Sequence, residues 1–153
     1  MSRRVDFMLG GEDFKKMTAA HVMQTDVYYF SEESPAIDLV SAMTLGGFGS
    51  VPITTSQDVV VGIVSEFDLL EAIREGKDLR QVKASEIMTQ EAISVDEDTP
   101  VDKIVSLLQA KHLIRVPVVD KNGILIGIVA RRDILLGYLK SVDSPPRMAY
   151  NLL

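Results

Sequence analysis

Val61-Gly62-Ile63-Val64-Ser65-Glu66-Phe67-Asp68 is an apolar run that passes directly into a polar, cap-like segment. It occurs a second time as Ile126-Gly127-Ile128-Val129-Ala130-Arg131-Arg132-Asp133. The two are 65 residues apart, and the same offset lays Val22–Leu70 over Ile87–Leu135 without a gap. Met23, Glu32, Pro35, Val40, Ser41, Val51 and Pro52 recur as Met88, Glu97, Pro100, Val105, Ser106, Val116 and Pro117. Self-similarity at one fixed period marks a duplicated supersecondary unit, so the protein's function is built on a pseudo-twofold.

Outward from the repeated run, each copy predicts the same elements. Val59–Val64 and Ile124–Val129 are apolar on both faces, as central strands are. Each leads straight into a helix, Glu66–Arg74 or Arg131–Lys140. Before them lie the strands Val51–Thr54 and Val116–Val119, with proline near the start, where a missing N–H is tolerated. Upstream, Ala36, Leu39, Val40 and Met43, matched by Val101, Ile104, Val105 and Leu108, give each copy a helix with one apolar face. Ser34-Pro35 and Thr99-Pro100 predict a capping hydroxyl followed by proline at the first helical position. The first of these helices stops at Gly46-Gly47; the second is expected to run on into Lys111-His112. Short strands are expected at Val27–Phe30 and Ala92–Val95, and helical turns at Thr18–Met23 and Lys83–Met88. Units of about 60 residues are marginal alone, so the two copies are expected to dock and share a core.

Composition excludes several classes. The 153 residues are 46% hydrophobic and 25% charged, with a formal net charge of −6. That balance is globular and disfavours general binding to a nucleic-acid backbone, which needs a cationic face. There is no cysteine, which removes disulfides and thiolate chemistry and fits a reducing, cytoplasmic location. Two histidines are too few for a histidine metal cluster, and His112 is expected at a solvated helix end. The seven methionines read as core filler. No apolar run approaches the ~20 residues of a membrane span, and Arg3–Leu9, broken by Asp6, is not a secretory leader.

In order, the repeated features are Met-Thr or Met-Gln, the helix, hydrophobic-Pro-hydrophobic, and Gly-Ile-Val-Ser-x-x-Asp-Leu, which the second copy carries as Gly-Ile-Val-Ala-x-x-Asp-Ile. Over roughly residues 17–140 this resembles the cystathionine-beta-synthase (CBS) domain, which comes in tandem pairs called Bateman modules. The resemblance implies an α/β fold of the α+β type, with two pseudo-twofold-related β-α-β-β-α repeats packed through their sheets. The expected division is an N-terminal arm 1–16, repeat one 17–75, a linker 76–82, repeat two 83–140 and a tail 141–153. It also implies a non-catalytic sensor that binds an adenosine compound (AMP, ADP, ATP or S-adenosylmethionine, with Mg2+ as a companion of ATP) between the copies and dimerises.

Physical grounds for a site are clearest in repeat one. A buried strand feeding a helix leaves free N–H groups and positive dipole at its end, and Asp68 is a carboxylate able to accept from ribose hydroxyls. Ser65-x-x-Asp68 is equally a capping box that needs no ligand, worth about 1 kcal/mol. In repeat two the cap position is Ala130, yet Asp133 remains. By the resemblance, one composite site holds ribose on Ser65 and Asp68 and phosphate on Arg115 and Arg132, with Ile114 and Ser50 alongside. Arginine suits phosphate through its two-pronged planar donor. Arg131 and Arg132 also read as solvated, or paired with Glu66 or Asp133. The site around Asp133, lacking the hydroxyl, is expected to be weak or vacant. No nucleophile–base pair or phosphate-cradling glycine loop is present, so an enzyme is disfavoured. A ligand-free dimerisation or docking scaffold, its target protein unidentified, is the competing class.

Overall fold

The computed structural model describes residues 11–90 and 92–143; the first ten residues and the tail from Ser144 lie outside the described residues. A 3-10 turn, Gly11–Lys16, opens the described residues. Repeat one then runs α1 (Ala19–Val22), β1 (Phe30–Ser31), α2 (Ala36–Gly46), β2 (Ser50–Thr54), β3 (Val60–Ser65) and α3 (Glu66–Arg74). Repeat two runs α4 (Ala84–Ile87), β4 (Thr89–Gln90), α5 (Val101–Ala110), β5 (Arg115–Val119), β6 (Leu125–Ala130) and α6 (Arg131–Ser141).

The copies exchange their opening segments. The first sheet has the order β1-β2-β3-β4, with β1 parallel to β2 and the rest antiparallel, so its last strand belongs to the second copy. In the second half β5 pairs with β6, Gln24 bridges Ile128, and Val95 bridges Val118. Gln24 and Thr89 are equivalent positions, each completing the other copy's sheet. The adjoining turns follow. Ala19 and Ala20 donate to the carbonyls of Thr99 and Glu97 at 2.9 and 3.0 Å, while Ala84 and Ser85 donate to those of Ser34 and Glu32 at 2.8 and 3.0 Å.

Exchange explains why a single shared core is not what forms. One cluster of buried residues joins Met17, Ala19, Val22 and Met23 to Val101, Ile104, Val116 and Val129. The other joins Leu79 and Ala84 to Leu39, Met43, Val51, Ile53 and Val64. Each half borrows apolar surface from the other and so reaches a core that a 60-residue unit would not fill alone. Gly62 and Gly127 make the approach possible: a Cβ on either would stand 2.5 Å from Met88 Sδ or 2.7 Å from Met23 Sδ.

Several local expectations are corrected. Pro35 and Pro100 are the N-cap residues rather than the first helical ones. The hydroxyls before them bond elsewhere, Ser34 with Ser31 and Thr99 with Asp96. Backbone carbonyls of the exchanged segments take the exposed helix N–H groups instead: Ala36 and Ile37 donate to Val82 and Leu79 at 2.7 and 2.9 Å, and Val101 to Met17 at 2.8 Å. Helix α5 ends at Ala110, one residue earlier in register than α2, and His112 takes φ 52° where its counterpart Gly47 has φ 69°. The arm is docked from Phe14 onward, with that ring edge-on to Tyr138 at 5.4 Å and Met17 fully buried. No helix among the described residues is long and apolar enough to cross a membrane.

Candidate functional site

The two halves meet at equivalent residues. Val59 bridges Ile124, and Arg115 Nη1 donates to the Ser50 carbonyl oxygen at 2.6 Å. Two clefts flank this seam. The first, about 480 Å³, is bordered by Ser50, Ser65, Asp68, Ile114, Arg115 and Arg131, with Ile63, Phe67, Ile93 and Leu113 as its apolar wall. The second, about 730 Å³, is bordered by Gln24, the Gly46–Gly49 loop, Ile114, Ala130, Asp133 and three arginines, Arg115, Arg131 and Arg132.

In the first cleft the expected capping box is closed. Ser65, in extended conformation at the N-cap of α3, donates its N–H to Asp68 Oδ2 at 2.8 Å, and its hydroxyl lies 3.0 Å from the same oxygen. Asp68 N–H returns to Ser65 Oγ at 3.3 Å. All of this uses Oδ2, which leaves Oδ1 without a partner among the described residues. The Ser50 hydroxyl is buried and is the one buried side-chain polar atom among the described residues with no hydrogen-bond partner. A buried polar atom without a partner carries a desolvation cost.

Arg115 forms the wall between the clefts. Its guanidinium carbon sits 5.1 Å over the Phe48 ring, and Phe48 stacks on Tyr28 at 5.7 Å and 16°. Burial pushes the Arg115 pKa below the ordinary arginine value; attraction to Asp133 opposes this and repulsion from Arg132 adds to it. The group remains a cation at any physiological pH, held by a carbonyl and an aromatic face rather than by an ion pair.

Of the residues expected together, Ser50, Ser65, Asp68, Ile114 and Arg115 do share one cleft. Arg132 does not. It lines the Asp133 cleft, while Arg131, its neighbour, lines both. Consecutive residues in the first turn of α6 point about 100° apart, so of the two only Arg131 also borders the Asp68 cleft. The twofold carried this signal, because the Arg132 counterpart, Phe67, also faces its own copy's aspartate cleft. Thr89 was missed as a lining residue because only the segment exchange brings it there. The Asp133 cleft, expected to be the weaker, is the larger of the two. Among the described residues no group of histidine and carboxylate side chains could hold a metal ion.

The family model described as "CBS domain" matches residues 19–75 and 84–140. The chain belongs to the CBS domain family. Among solved structures, this CBS pair superposes on CBSX2 in complex with AMP with a TM-score of 0.73 at 24% identity, covering 81% of this chain and 97% of that one. It superposes on the CBS domain pair of protein MJ0100, in complex with 5'-methylthioadenosine and S-adenosyl-L-methionine, with a TM-score of 0.71 at 23% identity, covering 78% and 98%. Among curated relatives it is 38% identical over 122 residues to the uncharacterized protein MK0525 of Methanopyrus kandleri, covering 79% of this chain and 62% of that protein. It spans 25% and 19% of the lengths of two further relatives.

Proposed function

We propose that this CBS pair is a non-catalytic regulatory module that binds an adenine nucleotide, AMP, ADP or ATP, in the Asp68 cleft. The observation that carries this is the convergence of an open Asp68 Oδ1 from one half with Arg115 from the other across a cleft of about 480 Å³. A carboxylate suits the ribose hydroxyls, guanidinium donors suit phosphate, and Ile63, Phe67 and Ile93 offer an apolar wall to a base. CBSX2 in complex with AMP and the MJ0100 pair in complex with 5'-methylthioadenosine and S-adenosyl-L-methionine share this fold, which fits an adenosine ligand and keeps S-adenosylmethionine as an alternative.

Output is proposed to run through a homodimer. Helix α3 exposes Phe67, Leu70 and Ile73, at 79, 59 and 55%, and α6 exposes Leu135 and Tyr138, at 67 and 50%. Leu70 and Leu135 are equivalents, as are Ile73 and Tyr138, so the pseudo-twofold extends one apolar stripe over both copies.

The closed Ser65–Asp68 box favours a second reading, a scaffold in which these residues only cap α3. Calorimetric titration with AMP, ADP, ATP (with and without Mg2+) and S-adenosylmethionine separates the two. The expected result is saturable binding that Asp68→Ala weakens by at least about tenfold. Absence of binding, or binding indifferent to that substitution, leaves the scaffold.

A further inference from the structure

The Asp133 cleft departs from its twin at three places that bear on ligand chemistry. Gln24 stands where the twin has Thr89, Ala130 where it has Ser65, and Arg131-Arg132 where it has Glu66-Phe67. The longer amide of Gln24 reaches across the seam, and its Nε2 donates to Asp133 Oδ1 at 2.6 Å. Ala130 N–H donates to Oδ2 at 2.8 Å. Asp133 is only 6% exposed, so both carboxylate oxygens are engaged and the group is turned inward, unlike Asp68 with its open Oδ1. A ribose diol therefore finds no acceptor here equivalent to the one it finds in the other cleft.

What the cleft does offer is positive charge. Arg115, Arg131 and Arg132 line it together, against the single carboxylate of Asp133. Arg131 and Arg132 form no ion pair among the described residues and occupy the first turn of α6, where the helix dipole already favours an anion. Arg132 repels Arg115 across this cleft, a cost that a multivalent anion lying among the arginines would relieve.

We propose that the Asp133 cleft is a polyphosphate-anion site, taking a di- or triphosphate group and no nucleoside. The anion has two available sources: free inorganic pyrophosphate or tripolyphosphate, or the phosphate tail of a nucleotide whose nucleoside occupies the Asp68 cleft. The second is open because Arg115 and Arg131 border both clefts. The inference rests on the proposed function only in assigning the nucleoside to Asp68.

The test is calorimetric titration of the full chain, at constant ionic strength, with inorganic pyrophosphate, adenosine, AMP and ATP. Arg132 lines only the Asp133 cleft and is exposed, so Arg132→Ala is expected to fold normally. It should weaken pyrophosphate binding about tenfold, and by more than it weakens adenosine binding. Asp68→Ala should show the reverse preference. If the anion is a nucleotide tail, Arg132→Ala also lowers ATP affinity by a larger factor than AMP affinity; if it is free, the ATP and AMP factors are equal. The proposal is overturned if the wild type binds no pyrophosphate and the ATP and AMP factors are equal, if Arg132→Ala binds pyrophosphate as tightly as the wild type, or if adenosine binds at two equivalents per chain. Failure of the nucleotide reading has a separate signature, adenosine and AMP binding unaffected by Asp68→Ala, whatever pyrophosphate does.

Discussion

Arg115 and Ser50 occupy the same position in the two copies, yet Arg115 Nη1 donates to the Ser50 carbonyl oxygen at 2.6 Å. Residues related by a twofold touch each other only when they straddle its axis, so this bond lies on the seam. Two different side chains at one symmetric position are one of the differences between the clefts, since Ser50 borders only one and Arg115 borders both. Arg115→Ala is expected to leave the Ser50 carbonyl without its donor and the Phe48 face without its cation. The cost should be about 1–3 kcal/mol of stability, read from urea unfolding. Nucleotide affinity should fall with it, and Arg115→Lys should recover the charge but less of the affinity, because an ammonium lacks the planar fork.

Capping and ligand binding at Asp68 use different oxygens, which makes them separable. Ser65→Ala removes the hydroxyl that accepts from Asp68 N–H and should cost about 1 kcal/mol of stability, with a smaller loss of nucleotide binding. Asp68→Asn keeps the size of the side chain but not the charge, and should lose nucleotide affinity by a larger factor than Ser65→Ala does. Paired urea unfolding and calorimetry on the two variants check this. Equal affinity losses would tie binding to helix capping alone.

The exchanged segments depend on two glycines. In Gly62→Ala the new methyl would lie 2.5 Å from Met88 Sδ and 2.9 Å from the Thr89 carbonyl oxygen. The methionine can swing aside, but the carbonyl belongs to a strand paired with β3 and cannot. Gly62→Ala should destabilise by about 1–3 kcal/mol. Gly127→Ala, whose nearest backbone atom is the Gln24 oxygen at 3.1 Å, should cost less. Thermal unfolding of the two variants ranks them.

What was legible in the sequence was whatever the 65-residue offset or the apolar period carries. The order of elements and the apolar helix faces follow from those signals, while the gathering of Ser65, Asp68 and Arg115 came only from the family resemblance. The exchange does not. Gln24 and Thr89 enter the sheets through one or two residues, too short for any period of two. Val27–Phe30 and Ala92–Val95 are apolar enough to predict strands, yet only Phe30–Ser31 and a bridge at Val95 pair, because the neighbouring strand is met only there. The α2 and α5 caps were misassigned because the acceptors that replace the serine and threonine hydroxyls are backbone carbonyls distant in sequence. Arg132 is expected beside Asp68 yet lines the other cleft, because chain adjacency says nothing of helical azimuth.

The stripe of Leu70, Ile73, Leu135 and Tyr138 is exposed in one chain and should be covered in a dimer. A double substitution, Leu70→Glu with Leu135→Glu, places charges at equivalent points of both helices without touching either core. It is expected to yield a folded monomer by light scattering, with an unchanged unfolding transition at low protein concentration. A wild-type chain that is monomeric at all concentrations would remove the dimer from the proposal.

His112 supplies a test of how far the two copies obey one backbone. At φ 52° it adopts a left-handed conformation that costs an L-residue about 1–2 kcal/mol, and its twin Gly47 meets the same demand at φ 69° without a Cβ. Glycine gives back part of that gain through the greater freedom of the unfolded chain. His112→Gly should therefore stabilise the protein by about 0.5–1 kcal/mol, seen as a higher urea midpoint with the same slope. Because His112 also borders the Asp68 cleft, affinity for AMP reports whether the imidazole is a ligand contact or a tolerated strain. Stability gained with affinity kept means the ring is there only because the turn permits it. Stability gained with affinity lost means the strain is retained for the ligand, as strained residues at binding sites often are.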